Sequence, residues 1–270
     1  MQKKKITTSL NISTYNWPEA LKLCLLSVKA LKVLPDEVII ADDGSTDSTR
    51  QLVEKFQKDF PVPIKYVWQP DEGFQLARIR NKGIAASSGD YIIQVDGDLI
   101  LHPMFVADHI SFSEKGSFVT GSRVILDKQY SKELMQSGET SVNLLNKDVR
   151  NKSNGVRIKA LRNYLAERYR IKDMLFMRGC NMAFWRDDLV MVNGYNEEFS
   201  GWGREDNEVA VRLINSGIKK RIIKFGGVVF HIYHPEKSRS GLNKNDDMLQ
   251  DAINNKKTYC PLGLNQYLDI

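Results

Sequence analysis

The chain predicts an α/β protein: a Rossmann-like, mostly parallel sheet flanked by helices, with a basic helical insertion in its second half. Three observations carry this. Short apolar runs of strand length occur at residues 6–13, 37–41, 64–68 and 91–95. Stretches with helical apolar spacing separate them, so each strand is followed by a crossover that favours parallel pairing. Two of the runs end in acid, at Asp42-Asp43 and at Asp96-Gly97-Asp98, as expected where strands deliver charge to the crevice outside their carboxyl ends.

Residues 6–13 alternate apolar and polar side chains and lead into Thr14-Tyr15-Asn16-Trp17-Pro18. Asn16 as cap and Pro18 in the first turn open a helix over 19–31, with Leu21, Leu25 and Val28 on one stripe and Cys24 beside it. Strand 37–41 runs into Asp42-Asp43-Gly44-Ser45-Thr46-Asp47, where Thr46 or Asp47 caps a helix reaching Phe60. Beyond Pro61 and Pro63, strand 64–68 precedes a helix over 75–86 that carries Arg78, Arg80 and Lys82. Arg78 and Lys82 are four apart and share a face, with Arg80 off it. Arg78 is therefore the preferred contact for a substrate diphosphate, the competing reading being a solvated basic face. Tyr91 to Val95 is a buried strand bounded by Ser88-Gly89 and by acid.

Residues 103–113 predict a helix and 117–125 a further strand. The composition then shifts. Residues 127–173 lack a strand pattern and concentrate lysine and arginine, while Ile158, Leu161, Tyr164 and Leu165 recur at helical spacing. That helix either packs on the domain or rests on anionic lipid or a lipid-linked acceptor. Strand character resumes over 177–186, where the small Gly179 and Cys180 either permit close approach of a ligand such as a sugar or are ordinary packing. A glycine-flanked Trp202 then precedes acids that open an apolar helix at 209–214. A strand over 222–230, interrupted by Gly226-Gly227, leads to His231 and His234. The tail is polar, with a short helix around 246–253 and basic residues Lys237 and Arg239 within reach of a diphosphate.

The chain reads as one domain, divided into a first half at 1–125, the insertion at 126–175, a second half at 176–235 and a tail at 236–270. A net charge of +6 and a pI near 9.0 suit nucleic acid, an anionic membrane face and phosphorylated substrates alike. Three widely spaced cysteines, Cys24, Cys180 and Cys260, suggest neither a disulfide framework nor a zinc site. No stretch approaches the length of a membrane span and no secretory signal precedes Lys5, so a soluble intracellular protein is expected. The dinucleotide glycine fingerprint and the P-loop are both missing, which argues against nicotinamide and P-loop chemistry.

Asp96 and Asp98 lie at i and i+2 of an extended chain and share a face, with a glycine between them that allows close approach. Such a pair can hold a divalent cation together with diphosphate oxygens, or it can be a polar turn. A carboxylate at the cleft end of the second strand can accept hydrogen bonds from a base or ribose.

Ser13-Thr14-Tyr15-Asn16, Ile40-Ala41-Asp42-Asp43-Gly44-Ser45-Thr46-Asp47 and Asp96-Gly97-Asp98 together resemble the family 2 glycosyltransferases of GT-A fold. The resemblance covers residues 6–235 apart from the insertion. It implies a nucleotide-sugar donor, a UDP-sugar, bound by a nucleotide-binding half at 1–125, with Thr14, Tyr15 and Asp43 in the nucleoside pocket, Asp96 toward ribose or metal, and Asp98 on the metal; residues 176–235 become the acceptor and catalytic half. Gly201-Trp202-Gly203-Arg204-Glu205-Asp206 is similar to the Trp-Gly-Gly-Glu-Asp motif of β-1,4-galactosyltransferases and of bacterial chondroitin polymerase-type transferases, with Arg204 in place of the second glycine. That similarity implies Asp206 as general base, Glu205 as an acceptor or structural ligand, Trp202 as the platform for donor and acceptor sugars, and a downstream histidine on the metal. His234 fits the spacing and His231 stands in reserve. An imidazole ligand favours Mn²⁺ over Mg²⁺. The implied activity is that of an inverting, metal-dependent hexosyltransferase acting on a glycan or lipid-linked acceptor in lipopolysaccharide or capsule synthesis. The implied location is the cytoplasm, peripheral on the inner face of the cell membrane, with no nucleic-acid partner. The rival readings are a non-catalytic nucleotide-sugar binding module and a haloacid-dehalogenase-like phosphohydrolase with Asp96 as nucleophile.

Overall fold

A computed structural model describes residues 5–166, 168–170, 172–235 and 242–268. Lys237 and Arg239, the basic start of the tail, lie outside the described residues. In chain order the elements are β1 (Thr8–Thr14), α1 (Pro18–Lys29), β2 (Glu37–Asp42), α2 (Asp47–Gln57), β3 (Ile64–Trp68), α3 (Leu76–Ala86), β4 (Tyr91–Asp96), β5 (Leu99–Leu101) and α4 (Phe105–Phe112). There follow β6 (Ser117–Thr120), β7 (Val124–Leu126), α5 (Lys128–Ser137), β8 (Val149–Arg150), α6 (Lys159–Leu165), β9 (Asn181–Trp185) and α7 (Arg186–Met191). The last are α8 (Glu205–Asn215), β10 (Lys219–Ile222), β11 (Val229–His231) and α9 (Leu242–Asn254).

A seven-stranded sheet has the order β10-β6-β9-β4-β1-β2-β3. Its strands are parallel except β9, which runs antiparallel to both β4 and β6. β1 and β2 are buried along their whole length, as both-face coverage by helices requires. The chain order reverses beside β1, which pairs with β2 on one side and β4 on the other. Register places Thr14 opposite Asp42 and Ser13 opposite Asp96, so the polar ends of three strands converge at one crevice. Leu10, Ile12, Ile40, Ile93 and Val95 supply the core between this sheet and α1.

Two expected strands divide. Residues 117–125 form β6 in the large sheet and β7 in a second, four-stranded sheet of order β5-β11-β7-β8. The break falls where the Gly121 N–H donates to the Asn181 carbonyl, and a Cβ at Gly121 would lie 2.2 Å from the Asn181 side chain. The expected strand at 222–230 likewise divides into β10 and β11 around Phe225 and Gly227, both at positive φ. Period-two patterning does not record which sheet a strand joins. Asn16 is also not the cap of α1. It has a φ of +45°, and its side-chain oxygen accepts the Thr46 N–H while its own N–H donates to Ser45 Oγ, so it ties the loop after β1 to the loop after β2.

The insertion is anchored differently from its pattern. On α6 the apolar Ile158 and Tyr164 flank are 45% and 60% exposed, and the buried residue is Arg162. Arg162 Nη1 lies 3.1 Å from Asp108 Oδ1 of α4, and Arg157 grips the same carboxylate with two bonds of 2.7 and 2.8 Å. Asp108 also accepts the Gly227 N–H, so one carboxylate joins α4, the insertion and the entry to β11. Removing it strands Arg162 as a buried unpaired charge. Asp108→Ala should therefore lower unfolding free energy by about 3–5 kcal/mol in urea titration, whereas a loss under about 1 kcal/mol would deny the anchor.

Candidate active site

The crevice begins at the ends of β1 and β2. Asp42 is fully buried and structural, accepting the Ser45 N–H and the Tyr66 hydroxyl. Asp43, 5% exposed, accepts Gln69 Nε2 at 2.6 Å and the Gln75 N–H at 3.0 Å, while its own N–H donates to the Thr14 carbonyl. Gln69 Oε1 is buried without a hydrogen-bond partner among the described residues. Tyr15 stands at the rim with its hydroxyl donating to Asp71. Gly44 has a φ of +95°, and a Cβ there would lie 2.5 Å from Asp71 Cα, so only glycine lets these loops approach. Thr14, Tyr15 and Asp43 are thus brought together, joined by Gln69 and Asp71, which the sequence reading did not single out.

Beyond β4 the chain turns directly into β5. The Gly97 N–H donates to the Ser13 carbonyl, and antiparallel pairing sets His231 opposite Leu99. Asp98 Oδ2 consequently lies 3.3 Å from His234 Nε2 and 3.7 Å from His231 Nε2. One ligand atom from each of Asp98, His231 and His234 falls within 4.8 Å of the others. Asp98 Oδ1 is buried with no hydrogen-bond partner among the described residues, which is costly unless something positive sits beside it. Burial opposes ionisation of Asp98, but the His234 contact and the charges of His231, His234 and Arg123 outweigh it and hold the carboxyl below the usual range. Burial also pushes His231 down, toward the neutral ligating form. His234 Nδ1 lies 2.8 Å from the Pro235 carbonyl, a contact that orients Nε2 inward when Nδ1 carries the proton. One carboxylate and two imidazoles fit a divalent transition ion such as Mn²⁺ better than Mg²⁺. Both histidines lie at this cluster.

Arg80 organises the acids on the other side of the crevice. It projects from α3 with 3% exposure; Nη1 lies 2.8 Å from Asp206 Oδ1 and 3.7 Å from Glu205 Oε1, and Nη2 lies 3.2 Å from Asp96 Oδ1. Its guanidinium also covers the Tyr195 ring at 5.3 Å. Arg78 points elsewhere, to Glu72 at 2.6 Å and Glu197 at 3.9 Å. The signal for Arg80 was present: it shares a helical stripe with the buried Ala77 and Ile84. The Tyr195 hydroxyl donates to Gln94 Oε1 at 2.8 Å and lies 3.3 Å from Asp206 Oδ1. Gln94 in turn donates to the Gly179 carbonyl. Gly179 is the tightest approach: a Cβ there would stand 1.6 Å from Asp206 Oδ2.

One guanidinium cannot neutralise three carboxylates, so protons are retained. Burial, then the Asp206 charge, raises Glu205 to about 7 against the opposing pull of Arg80. Burial likewise raises Asp96 to about 6, with Arg80 opposing and Asp98 and Asp206 adding to the rise. Glu205 Oε2 has no hydrogen-bond partner among the described residues, in keeping with a neutral acid. Asp206, at the start of α8, faces a cavity of about 320 Å³ that Met177, Trp202, Arg204 and Leu242 also line. Trp202 is 43% exposed. Glu205, Asp206 and Trp202 border this cavity, Arg80 ties its two acids to Asp96, and the cluster of Asp98, His231 and His234 begins two residues beyond Asp96, while Arg78 stands apart from these acids. The three thiols are buried; burial pushes Cys180 and Cys260 up to about 12 and Cys24 higher, so none is poised as a thiolate ligand.

The profile for glycosyl transferase family 2 matches residues 9–189, and that for the N-terminal domain of galactosyltransferase matches residues 150–235. The chain is 30% identical to an Escherichia coli chondroitin synthase over 264 residues, covering 91% of this chain and 38% of that protein. It is 26% identical to a Pasteurella multocida hyaluronan synthase over 266 residues, covering 91% of this chain and 27% of that protein. It therefore spans well under half the length of these relatives. Among solved structures, S. aureus TarS 1-349 in complex with UDP-GlcNAc superposes with a TM-score of 0.63 at 16% identity, over 97% of this chain and 69% of that one. A Pyrobaculum calidifontis mannosyltransferase in complex with GDP-Man and Mn²⁺ gives 0.60 at 15%, over 91% and 62%. These likenesses show the fold, a GT-A glycosyltransferase fold.

The raised Glu205 fixes a sign. A carboxyl whose folded pKa lies above its unfolded value takes up protons on folding, so its burial costs stability progressively as pH rises from about 4.5 to about 7. Glu205→Gln removes that cost. The variant should gain roughly 2–3 kcal/mol over the wild type at pH 8 and little at pH 5, by urea unfolding at both; a gain equal at the two pH values would contradict the retained proton.

Proposed function

The chain belongs to glycosyl transferase family 2, and from that premise we propose that it transfers a hexose, with inversion, from a UDP-sugar to a hydroxyl of a glycan or lipid-linked acceptor. The observation that carries the reading is Asp206 at the cavity wall, its Oδ1 held by Arg80 and Tyr195 while Trp202 borders the same space. Asp206 takes the proton of the acceptor hydroxyl as that oxygen attacks the anomeric carbon from the face opposite the diphosphate. The bond from the anomeric carbon to the diphosphate oxygen breaks, and UDP leaves with the electron pair. Tyr195, whose hydroxyl burial pushes well above its ordinary range, stays protonated and steadies the base. Trp202 offers its ring to the sugars, and Thr14, Tyr15 and Asp43 receive the nucleoside. Asp98, His234 and His231 would hold a divalent cation, Mn²⁺ in preference to Mg²⁺, which when bound offsets the charge that develops on the departing diphosphate.

The setting we propose is cell-surface polysaccharide synthesis, lipopolysaccharide or capsule, at the cytoplasmic face of a membrane. No helix among the described residues is long and apolar enough to cross a bilayer. Contact with anionic lipid would instead be peripheral, through α6 and its flanks, where exposed Ile158 and Tyr164 accompany Lys159 and Arg168.

UDP release from a panel of UDP-sugars, with aryl hexosides as acceptors and Mn²⁺ present, tests the reaction. Turnover with one donor is expected, and none with any donor would sink the assignment. Asp206→Asn should lower kcat by about 10²- to 10⁴-fold with the donor KM nearly unchanged, and Asp98→Asn should abolish the Mn²⁺ dependence. For the membrane contact, sedimentation with phosphatidylglycerol vesicles should fall on Tyr164→Glu; equal sedimentation of variant and wild type would remove α6 from the interface.

A further inference from the structure

The Trp202 loop is held from the far end of the chain. Gly201, Gly203 and Arg204 have φ values of +73°, +106° and +80°. Arg204 is the one of these that bears a side chain, a conformation that disfavours L residues unless contacts maintain it. Its side chain reaches α9, where Nε donates to Asp246 Oδ1 at 2.5 Å. The preceding residue, Asn245, is fully buried, and its Nδ2 donates to the Gly203 carbonyl at 2.8 Å and the Ser200 carbonyl at 3.3 Å. Those two bonds bridge the loop on either side of Trp202. A carboxamide can do this because one group carries two N–H donors. Leu242, the first residue of α9, also lines the cavity, and a Cβ at Gly203 would stand 3.1 Å from its Cδ1. Behind this contact α9 packs on α8 through Val211, Leu249 and Ala252.

We propose that Asn245 and Asp246 are positioning residues for the reaction. Together they latch residues 200–204 to α9, which sets Trp202 at the cavity and starts α8 with Asp206 beside it. The consequence for catalysis rests on the reading of this cavity as the acceptor site. Acceptor binding then depends on a helix that supplies no acid, no base and no metal ligand. The two halves of the latch differ in kind. The Arg204–Asp246 pair is about one-third exposed on each side and acts mainly as a directional tether. The Asn245 amide is buried and holds backbone.

The test uses the full chain. Asn245→Ala and Asp246→Asn are each expected to speed amide hydrogen exchange at residues 201–206 by about tenfold, with β1 to β4 unaffected. Asp246→Glu should restore slow exchange, and Asp246→Asn should add nothing once Arg204→Gly has removed its partner. With an aryl hexoside that the wild type turns over, Asn245→Ala should raise the acceptor KM by about fivefold and move the donor KM by less than about twofold. Unchanged exchange at 201–206, acceleration spread evenly over α8 and α9, or donor and acceptor KM rising together would each overturn the latch. The exchange measurement needs no substrate, so it decides the latch even if no aryl hexoside is turned over; that second result would count against the acceptor reading alone.

Discussion

The site depends on one buried guanidinium. Arg80 is the sole cation bonded to the group formed by Asp96, Glu205 and Asp206 among the described residues, and it joins the acid that ends β4 to the acids that open α8. Its charge is shared between a half-buried acid, Asp206, and the buried Glu205, and its planar fork sets the spacing between the two sides. The arrangement is deliberately under-neutralised, since three acids share one cation. Burial and the mutual repulsion of the acids push Glu205 up to about 7 and Asp96 up to about 6 against the pull of Arg80, which leaves the cleft receptive to further positive charge.

Much of the fold was legible because its first half obeys simple rules. β1 to β4 are short, apolar and bounded by turn residues, and their helices carry clear spacing. The acids at strand ends were legible for the same reason. Less visible were features that depend on which surfaces meet. Arg78 and Arg80 differ by two positions, and only the packing of α3 turns Arg80 inward and sends Arg78 to Glu72. Residues 117–125 read as one strand because nothing in a periodic pattern marks the crossing from one sheet to the other at Gly121. On α6 the apolar spacing was present, yet the buried contact is ionic, through Arg162.

The second sheet explains why the histidines sit where they do. β11 pairs with β5, and β5 begins one residue after Asp98, so backbone pairing carries His231 to the acid that ends the glycine turn. The Ile232 N–H donates to the Asp98 carbonyl and extends that alignment toward His234. Asp108 steadies the same region from behind by accepting the Gly227 N–H just before β11. A strand of three residues thus leans on an ion pair between α4 and the insertion, and the insertion is coupled to the histidine cluster through backbone geometry.

Burial of every thiol has a practical consequence for watching this molecule move. Cys24, Cys180 and Cys260 are shielded and strongly disfavoured as thiolates, so maleimide chemistry at neutral pH should leave them untouched in the folded protein. The natural sequence therefore serves as its own cysteine-light background. A single Tyr164→Cys substitution, at a position 60% exposed, would accept one dye on the insertion without any prior removal of native cysteines. A fluorophore there would report the motion of the basic helix through its own anisotropy, independent of the four native tryptophans.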